Sequence, residues 1–334
     1  WAQASGGPPD IGRFASIPNQ SARRTDALVA CTVEELIKWF TATKQAMNAQ
    51  LGSTMPGVKE TDHQITVRDG TKITVRSYQP ETPPSGGSPL AVIFHGGGWC
   101  VGGLENEELL CRLICSKLGI TALNVDYRLA PAHKFPTCIH DAFDATKWAA
   151  DNASYLGADT SKGFIIGGTS AGGNLACVIS HLWRDEKMQP LLTGTHLMIP
   201  ALPSHVPEKY KQDYNSWEQN KDAPILSRKA CDLFLDNYIE PKDRASPLFS
   251  PLLFPTGHAG LPPTYFQICG KDPLRDEALI FERILRQDES IKTKVDVYPG
   301  MPHGFWSVAL ELKASKKFVD DSVKGWEWLL EQQR

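Results

Sequence analysis

The chain has 334 residues, 41% of them hydrophobic and 22% charged, a composition that supports a large buried core and excludes a disordered or collagen-like chain. Its 35 Lys and Arg against 38 Asp and Glu leave a formal charge of −3, so nothing points to a nucleic-acid backbone as partner. No apolar run approaches the roughly 18 residues that cross a bilayer, and residues 1–10 lack the basic and apolar blocks of a secretory signal, so neither a membrane partner nor secretion is expected.

In chain order, the stretch up to residue 30 is rich in Gly, Pro, Ser and Asn without a steady period and reads as an irregular arm. Thr32 then opens a helix, with Glu35 three residues on as a capping box and Leu36, Phe40 and Met47 near helical spacing. Ile65 and Val67 before Asp69-Gly70, and Ile73 and Val75 after it, predict a hairpin with a tight turn. From residue 90 the pattern becomes strand, helix, strand, helix. Strands are predicted at 90–94, 120–125, 164–166, 195–202, 264–269 and 294–298, and helices at 105–118, 136–152, 171–184 and 276–286. A last helix carries Val319, Val323, Trp326 and Leu330 on one face. Such alternation implies a mostly parallel sheet with helices on both faces. Residues 204–250 interrupt it with a polar insert carrying Tyr210, Tyr214 and Trp217. The expected organisation is an N-terminal arm and cap helix (1–60), a first core part (61–203), a cap insert (204–250) and a second core part (251–334). The eight cysteines (Cys31, Cys100, Cys111, Cys115, Cys138, Cys177, Cys231 and Cys269) are thinly spread in apolar runs. They read as reduced, buried thiols of a cytoplasmic protein, and Cys111 and Cys115, four apart, as core rather than a metal pair.

The most informative stretch is Gly168-Thr169-Ser170-Ala171-Gly172, a G-x-S-x-G sequence between a predicted buried strand and a predicted helix. A serine at the tip of so sharp a turn projects its hydroxyl above the sheet, and the flanking glycines remove side chains that would clash. The following helix directs its N-terminal N–H groups at the same spot, where they favour negative charge. Neither the G-x-G-x-x-G of a dinucleotide loop nor the G-x-x-x-x-G-K-[ST] of a mononucleotide loop is present here. Upstream, His95-Gly96-Gly97-Gly98-Trp99 follows the strand 90–94. Successive glycines there let backbone N–H groups turn inward, as acyl transfer requires for the oxygen anion of its tetrahedral intermediate. The expected donors are Gly97, Gly98 and Ala171, with His95 a brace for the loop.

With these motifs on the page, the chain resembles the α/β-hydrolase superfamily, in its hormone-sensitive-lipase-like group of esterases. That group carries HGGG ahead of the serine and a Y-R-L-A-P-E-x-x-F-P motif. The second motif reads here Tyr127-Arg128-Leu129-Ala130-Pro131-Ala132-His133-Lys134-Phe135-Pro136, with Ala132 in place of the usual Glu. The elbow has Thr169 where Asp is commoner, which marks a branch of the group. The resemblance implies an α/β-hydrolase fold: a mostly parallel central sheet, helices on both faces and a helical cap. It also implies a serine hydrolase of carboxylic esters that works without metal or cofactor.

A serine hydroxyl needs a base, and the base needs an orienting carboxylate. Among the histidines that follow Ser170, His205, His258 and His303 are the candidates for the base. His303 lies just beyond the last predicted strand, at the carboxyl edge where open α/β sheets place their sites. His258 falls before a strand and His205 in the insert. Asp272 comes first after the strand 264–269, while Asp276 and Glu277 fall in the first helical turn beyond, where acids commonly serve only as dipole partners. Ser170, Asp272 and His303 are therefore the expected catalytic residues. Tyr127 and Arg128 are expected to pin the loop, Asn174 to hydrogen-bond structurally, and His133, His140 and His181 to be structural histidines. The resemblance further suggests a pocket for short acyl groups and small or aromatic alcohols, with Trp99, Tyr214, Trp217 and Phe305 as walls, and a homodimer through the last strand. An acyltransferase, lactonase or amidase with the same triad, and a non-catalytic ligand-binding relative of the fold, are the rival readings.

Overall fold

The computed structural model describes residues 54–202 and 206–332. The N-terminal arm, the helix expected from Thr32, Cys31 and His205 lie outside these residues.

The chain enters through a hairpin. β1 (Val58–Thr66) and β2 (Lys72–Pro80) pair antiparallel. Gly70 closes the turn at φ 83°, its N–H donating to the Val67 carbonyl at 2.8 Å, while the Asp69 carboxylate accepts from the Thr71 N–H at 3.0 Å. The alternation follows as expected: β3 (Leu90–Phe94), α1 (Glu108–Leu118), β4 (Thr121–Asp126), α2 (Thr137–Asp151), β5 (Phe164–Thr169), α3 (Ala171–Asp185) and β6 (Gly194–Met198). The insert contributes the short helix α4 (Ser216–Gln219) and α5 (Arg228–Tyr238). Then come β7 (Thr264–Lys271), α6 (Arg275–Arg283), β8 (Thr293–Pro302) and α7 (Lys313–Glu331).

All eight strands form one sheet in the order β1-β2-β4-β3-β5-β6-β7-β8. β2 runs antiparallel to β4, and every pair from β4 through β3 to β8 is parallel. Parallel strands need crossovers that cover both faces, so both faces are buried. Neighbouring residues of β3 show it: Leu90, Val92 and Phe94 join one apolar cluster with Ile139 of α2, Leu175 of α3 and Phe281 of α6. Ala91 and Ile93 join another with Ile114 of α1 and Trp326 and Leu329 of α7.

Element ends differ from expectation where tertiary contacts decide them. β6 stops at Met198 rather than 202, because Ile199 turns to φ 39° and the Ala201 N–H donates to the Ser170 carbonyl at 3.0 Å. The helix expected at 105–118 begins as a separate 3₁₀ turn, Leu104–Asn106. The helix expected to reach 286 ends at Arg283 and continues as a π turn over Ile284–Asp288.

Candidate active site

Ser170 follows β5 directly, at φ 56° and ψ −113°, a strained conformation for a residue with a side chain. The turn is held from below: the Ser170 N–H donates to the Met198 carbonyl at 2.8 Å, and its carbonyl accepts from Ala201 and Asn174 at 3.0 Å each. The two flanking glycines are sterically required. A Cβ on Gly168 would lie 2.3 Å from the Gly172 carbonyl oxygen, and one on Gly172 2.0 Å from that of Phe94.

His303 and Asp272 arrive from the loops after β8 and β7. Their place at the carboxyl edge follows from the parallel topology, and the structure brings both to Ser170. His303 Nδ1 lies 2.7 Å from Asp272 Oδ2, and Nε2 lies 2.9 Å from Ser170 Oγ. A carboxylate only accepts, so Nδ1 carries the proton, Nε2 presents a lone pair, and the serine hydroxyl donates to it. The other carboxylate oxygen of Asp272 accepts from the Leu274 N–H at 2.9 Å. All three side chains are buried, Asp272 almost completely.

The glycine loop faces the same point. The Gly97 carbonyl accepts from the N–H groups of Cys100 (3.1 Å) and Val101 (3.0 Å), and the Gly96 carbonyl from His95 Nδ1 at 2.8 Å. In a trans peptide the N–H points opposite its carbonyl. The N–H groups of Gly97 and Gly98 are thus turned away from those partners, as is that of Ala171 from the bonded Ser170 carbonyl, and all three residues line one cavity with Ser170 and His303. Gly97 (φ 129°) and Gly98 (φ 58°) adopt backbone angles that favour glycine. His95 is sealed in beneath. Its ring stacks on Tyr127 at 4.1 Å, and the Tyr127 hydroxyl donates to the His95 carbonyl at 2.7 Å. Burial pushes the imidazole pKa down to about 4. Arg128 grips Asp141 at 2.7 Å and Asp69 at 2.7 Å, tying this loop to α2 and to the hairpin turn.

The cavity has a volume of about 500 Å³. Trp99, Tyr214 and Trp217 line it, but Phe305 does not. Phe305 is fully buried, packed edge-on against Phe318 behind the site, and its neighbour Trp306 faces the cavity instead. The 3₁₀ turn Phe305–Ser307 sends adjacent side chains in different directions, which the sequence pattern does not announce. Asp276 and Glu277 stand in the first turn of α6, as expected, and both are buried. Asp276 accepts from the N–H groups of Asn215 (2.7 Å) and Ser216 (2.6 Å) and so ties the insert to α6. Glu277 lines the cavity and accepts from the Leu202 N–H at 3.1 Å. Asn174 donates to the Phe249 carbonyl at 2.9 Å, a second tie to the segment after the insert helices. His258 and His181 pair with each other at 2.9 Å, and burial lowers the pKa of both. Among the described residues no group of three His, Cys, Asp or Glu side chains is arranged to hold a metal ion, and no helix is long and apolar enough to cross a membrane.

Known proteins resemble this chain in sequence and fold. The sequence model of the family described as alpha/beta hydrolase fold matches residues 91–307. An AB hydrolase superfamily protein of Schizosaccharomyces pombe is 42% identical over 275 residues, 82% of this chain and 80% of that protein. The versiconal hemiacetal acetate esterase of Dothistroma septosporum is 36% identical over 308 residues, covering 91% and 90%. The crystal structure of vibralactone cyclase superposes with a TM-score of 0.84 at 36% identity, covering 91% of this chain and 90% of that one. The chain belongs to the α/β-hydrolase fold family, as a carboxylic ester hydrolase of its hormone-sensitive-lipase-like group.

Proposed function

We propose that the protein hydrolyses carboxylic esters of small molecules through a covalent acyl-serine. Ser170 Oγ attacks the acyl carbonyl while its proton passes to His303 Nε2, and Asp272 holds the imidazole in the required tautomer and stabilises its charged form. The tetrahedral oxygen anion accepts from the N–H groups of Gly97, Gly98 and Ala171. Such donors are each worth about 2.7–4 kcal/mol of transition-state stabilisation. The carbon–oxygen bond to the alcohol then breaks, and His303 gives its proton to that oxygen. A water, deprotonated by the same nitrogen, adds to the acyl carbonyl; the ester bond to Ser170 breaks, and the hydroxyl is restored with the free acid released.

The observation that carries this reading is the chain of contacts from Asp272 through His303 to Ser170, at 2.7 and 2.9 Å, in a cavity that Gly97, Gly98 and Ala171 also line. The insert acts as the cap over this site, and the mostly apolar cavity beneath it suits short acyl groups and small or aromatic alcohols. The free, buried cysteines among the described residues suit the reducing conditions of the cytoplasm. The test is turnover of p-nitrophenyl acetate by the intact protein, with a fluorophosphonate probe labelling Ser170. Labelling that spares Ser170 overturns the scheme.

The likeness to vibralactone cyclase favours one second reading, in which a hydroxyl other than that of water takes the acyl group. Product analysis with and without added alcohol separates the two: transfer to the alcohol in preference to water identifies an acyltransferase.

A further inference from the structure

Glu277 is a buried carboxyl that the reaction scheme leaves without a task. It stands in the first turn of α6, only 1% exposed, yet it lines the cavity that holds Ser170 and His303. One of its oxygens accepts from the Leu202 N–H at 3.1 Å. Among the described residues the other has no hydrogen bond, and it is not sealed into the packing either. It therefore looks into the cavity. Tyr214 and Cys231, which line the same cavity, lie close enough to feel its charge. Burial, with Asp272 and Asp276 nearby, holds the carboxyl well above the usual range, outweighing the Leu202 N–H, which favours the ionised form. A protonated carboxyl differs from a carboxylate in one useful respect: it donates a hydrogen bond.

The position along the bound ester follows from the wall that carries it. Leu202 follows Ala201, whose N–H supports the Ser170 carbonyl, so this wall runs beneath the serine. Gly304, Trp306 and Ser307, which follow His303, line the same cavity next to the imidazole that hands its proton to the alcohol. The wall beneath the serine is on this ground assigned to the acyl part, which stays bonded to Ser170 when the alcohol leaves.

We propose that Glu277 is a specificity residue for the acyl group: its carboxyl hydrogen-bonds a hydroxyl or keto oxygen carried a few bonds from the scissile carbonyl. The preferred substrates are esters of short hydroxy or keto acids rather than of plain alkanoic acids. This deepens, and rests on, the acyl-serine reading above. An oxygen in this pocket satisfies a buried polar group that an alkyl chain of the same shape leaves unpaired.

The test compares two esters of equal shape, ethyl 3-hydroxybutanoate and ethyl 3-methylbutanoate, on the full chain, with 2-hydroxyethyl butanoate as a third substrate. The wild type is expected to favour the hydroxy ester by about tenfold in kcat/KM, the value of one well-placed hydrogen bond. Glu277→Gln, which keeps both a donor and an acceptor for Leu202, retains that ratio, whereas Glu277→Met brings it close to unity. Turnover without a hydroxyl preference in the wild type overturns the assignment, as does an equal fall in kcat on both acyl esters in Glu277→Met, the signature of a mere brace. Preference for the 2-hydroxyethyl ester places the oxygen on the alcohol side and overturns it equally. Absence of all turnover with no fluorophosphonate labelling is a different result, because it removes the serine reading itself.

Discussion

Gly98 stands against the Phe234 ring with no room for a side chain: an added Cβ would lie 2.4 Å from it, at a φ of 58° that disfavours any other residue. Gly98→Ala keeps the N–H but forces the loop to move. Displacing one such donor is expected to lower kcat on p-nitrophenyl acetate by about 100-fold, with KM and the thermal transition changed far less. An unchanged kcat would remove this loop from the chemistry. Asp272→Asn tests the other end of the site. An amide in place of the carboxylate stabilises the wrong imidazole tautomer, and kcat is expected to fall by about 10⁴-fold, as in other triads. Ser170, His303 and Asp272 were legible because each closes a short motif at a strand end, and the parallel topology carries all such ends to one edge. Phe305 and Glu277 were not. Which of two adjacent aromatics faces a cavity depends on the hand of a single turn, and an acid in a first helical turn looks the same in sequence whether water or protein covers it.

At the scale of elements, the alternation of buried strands and amphipathic helices was readable on both sides of the insert, because helix-covered parallel strands are short apolar runs, whereas the helices α4 and α5 inside the insert were not. Their ends were not: β6 stops where the Ser170 turn claims the Ala201 N–H, a contact between distant parts of the chain. The anchoring of the insert was equally hidden. Asp276 binds two consecutive N–H groups, those of Asn215 and Ser216, while Arg275 Nε reaches it at 2.7 Å and Ser216 Oγ donates to the Pro273 carbonyl at 2.7 Å. Hydrogen bonds to a charged acceptor contribute about 1.5–3 kcal/mol each. Asp276→Ala is therefore expected to loosen the insert without unfolding the sheet. Limited proteolysis should cut near residues 207–222, KM for p-nitrophenyl butanoate should rise several-fold, and the far-ultraviolet spectrum should stay constant. Resistance to the protease equal to that of the wild type would show that the insert is held by other contacts. A different element depends on close approach. Gly325 of α7 lies against Tyr265 of β7, and a Cβ there would sit 1.9 Å from the ring. Gly325→Ala is expected to cost about 1–3 kcal/mol in urea unfolding, the usual penalty of overpacking.

For the molecule as a whole, the buried titratable groups set how stability responds to pH. Burial lowers the pKa of His95 to about 4 and of His196 to about 3 in the fold, from an ordinary value of 6.5, and lowers those of the His181–His258 pair as well. These imidazoles are neutral in the native state and take up protons on unfolding. Between their folded values and 6.5 the unfolded chain binds more protons, so stability rises with pH across that window. Three acids pull the other way. Burial raises Asp126 to about 6, Glu277 well above 4.5 and Glu108 above its ordinary value, so the native state holds their protons where the unfolded chain releases them. His63 and His140 are lowered by burial too, and six imidazoles against three carboxyls leave the histidines dominant. The free energy of unfolding should therefore fall as pH drops from 6.5 toward 4.5, each unbalanced proton contributing about 1.4 kcal/mol per pH unit. His196 isolates the effect, since it takes no part in the serine site, being fully buried, stacked on Tyr265 and bonded to Gln267 at 3.0 Å. In His196→Gln the slope of stability against pH should flatten by about that amount, because one proton no longer distinguishes the two states. Urea titrations of both proteins at pH 4.5, 5.5 and 6.5 measure it. A wild-type stability that does not change across this range would mean that the interior opens enough to hydrate its imidazoles before the chain unfolds.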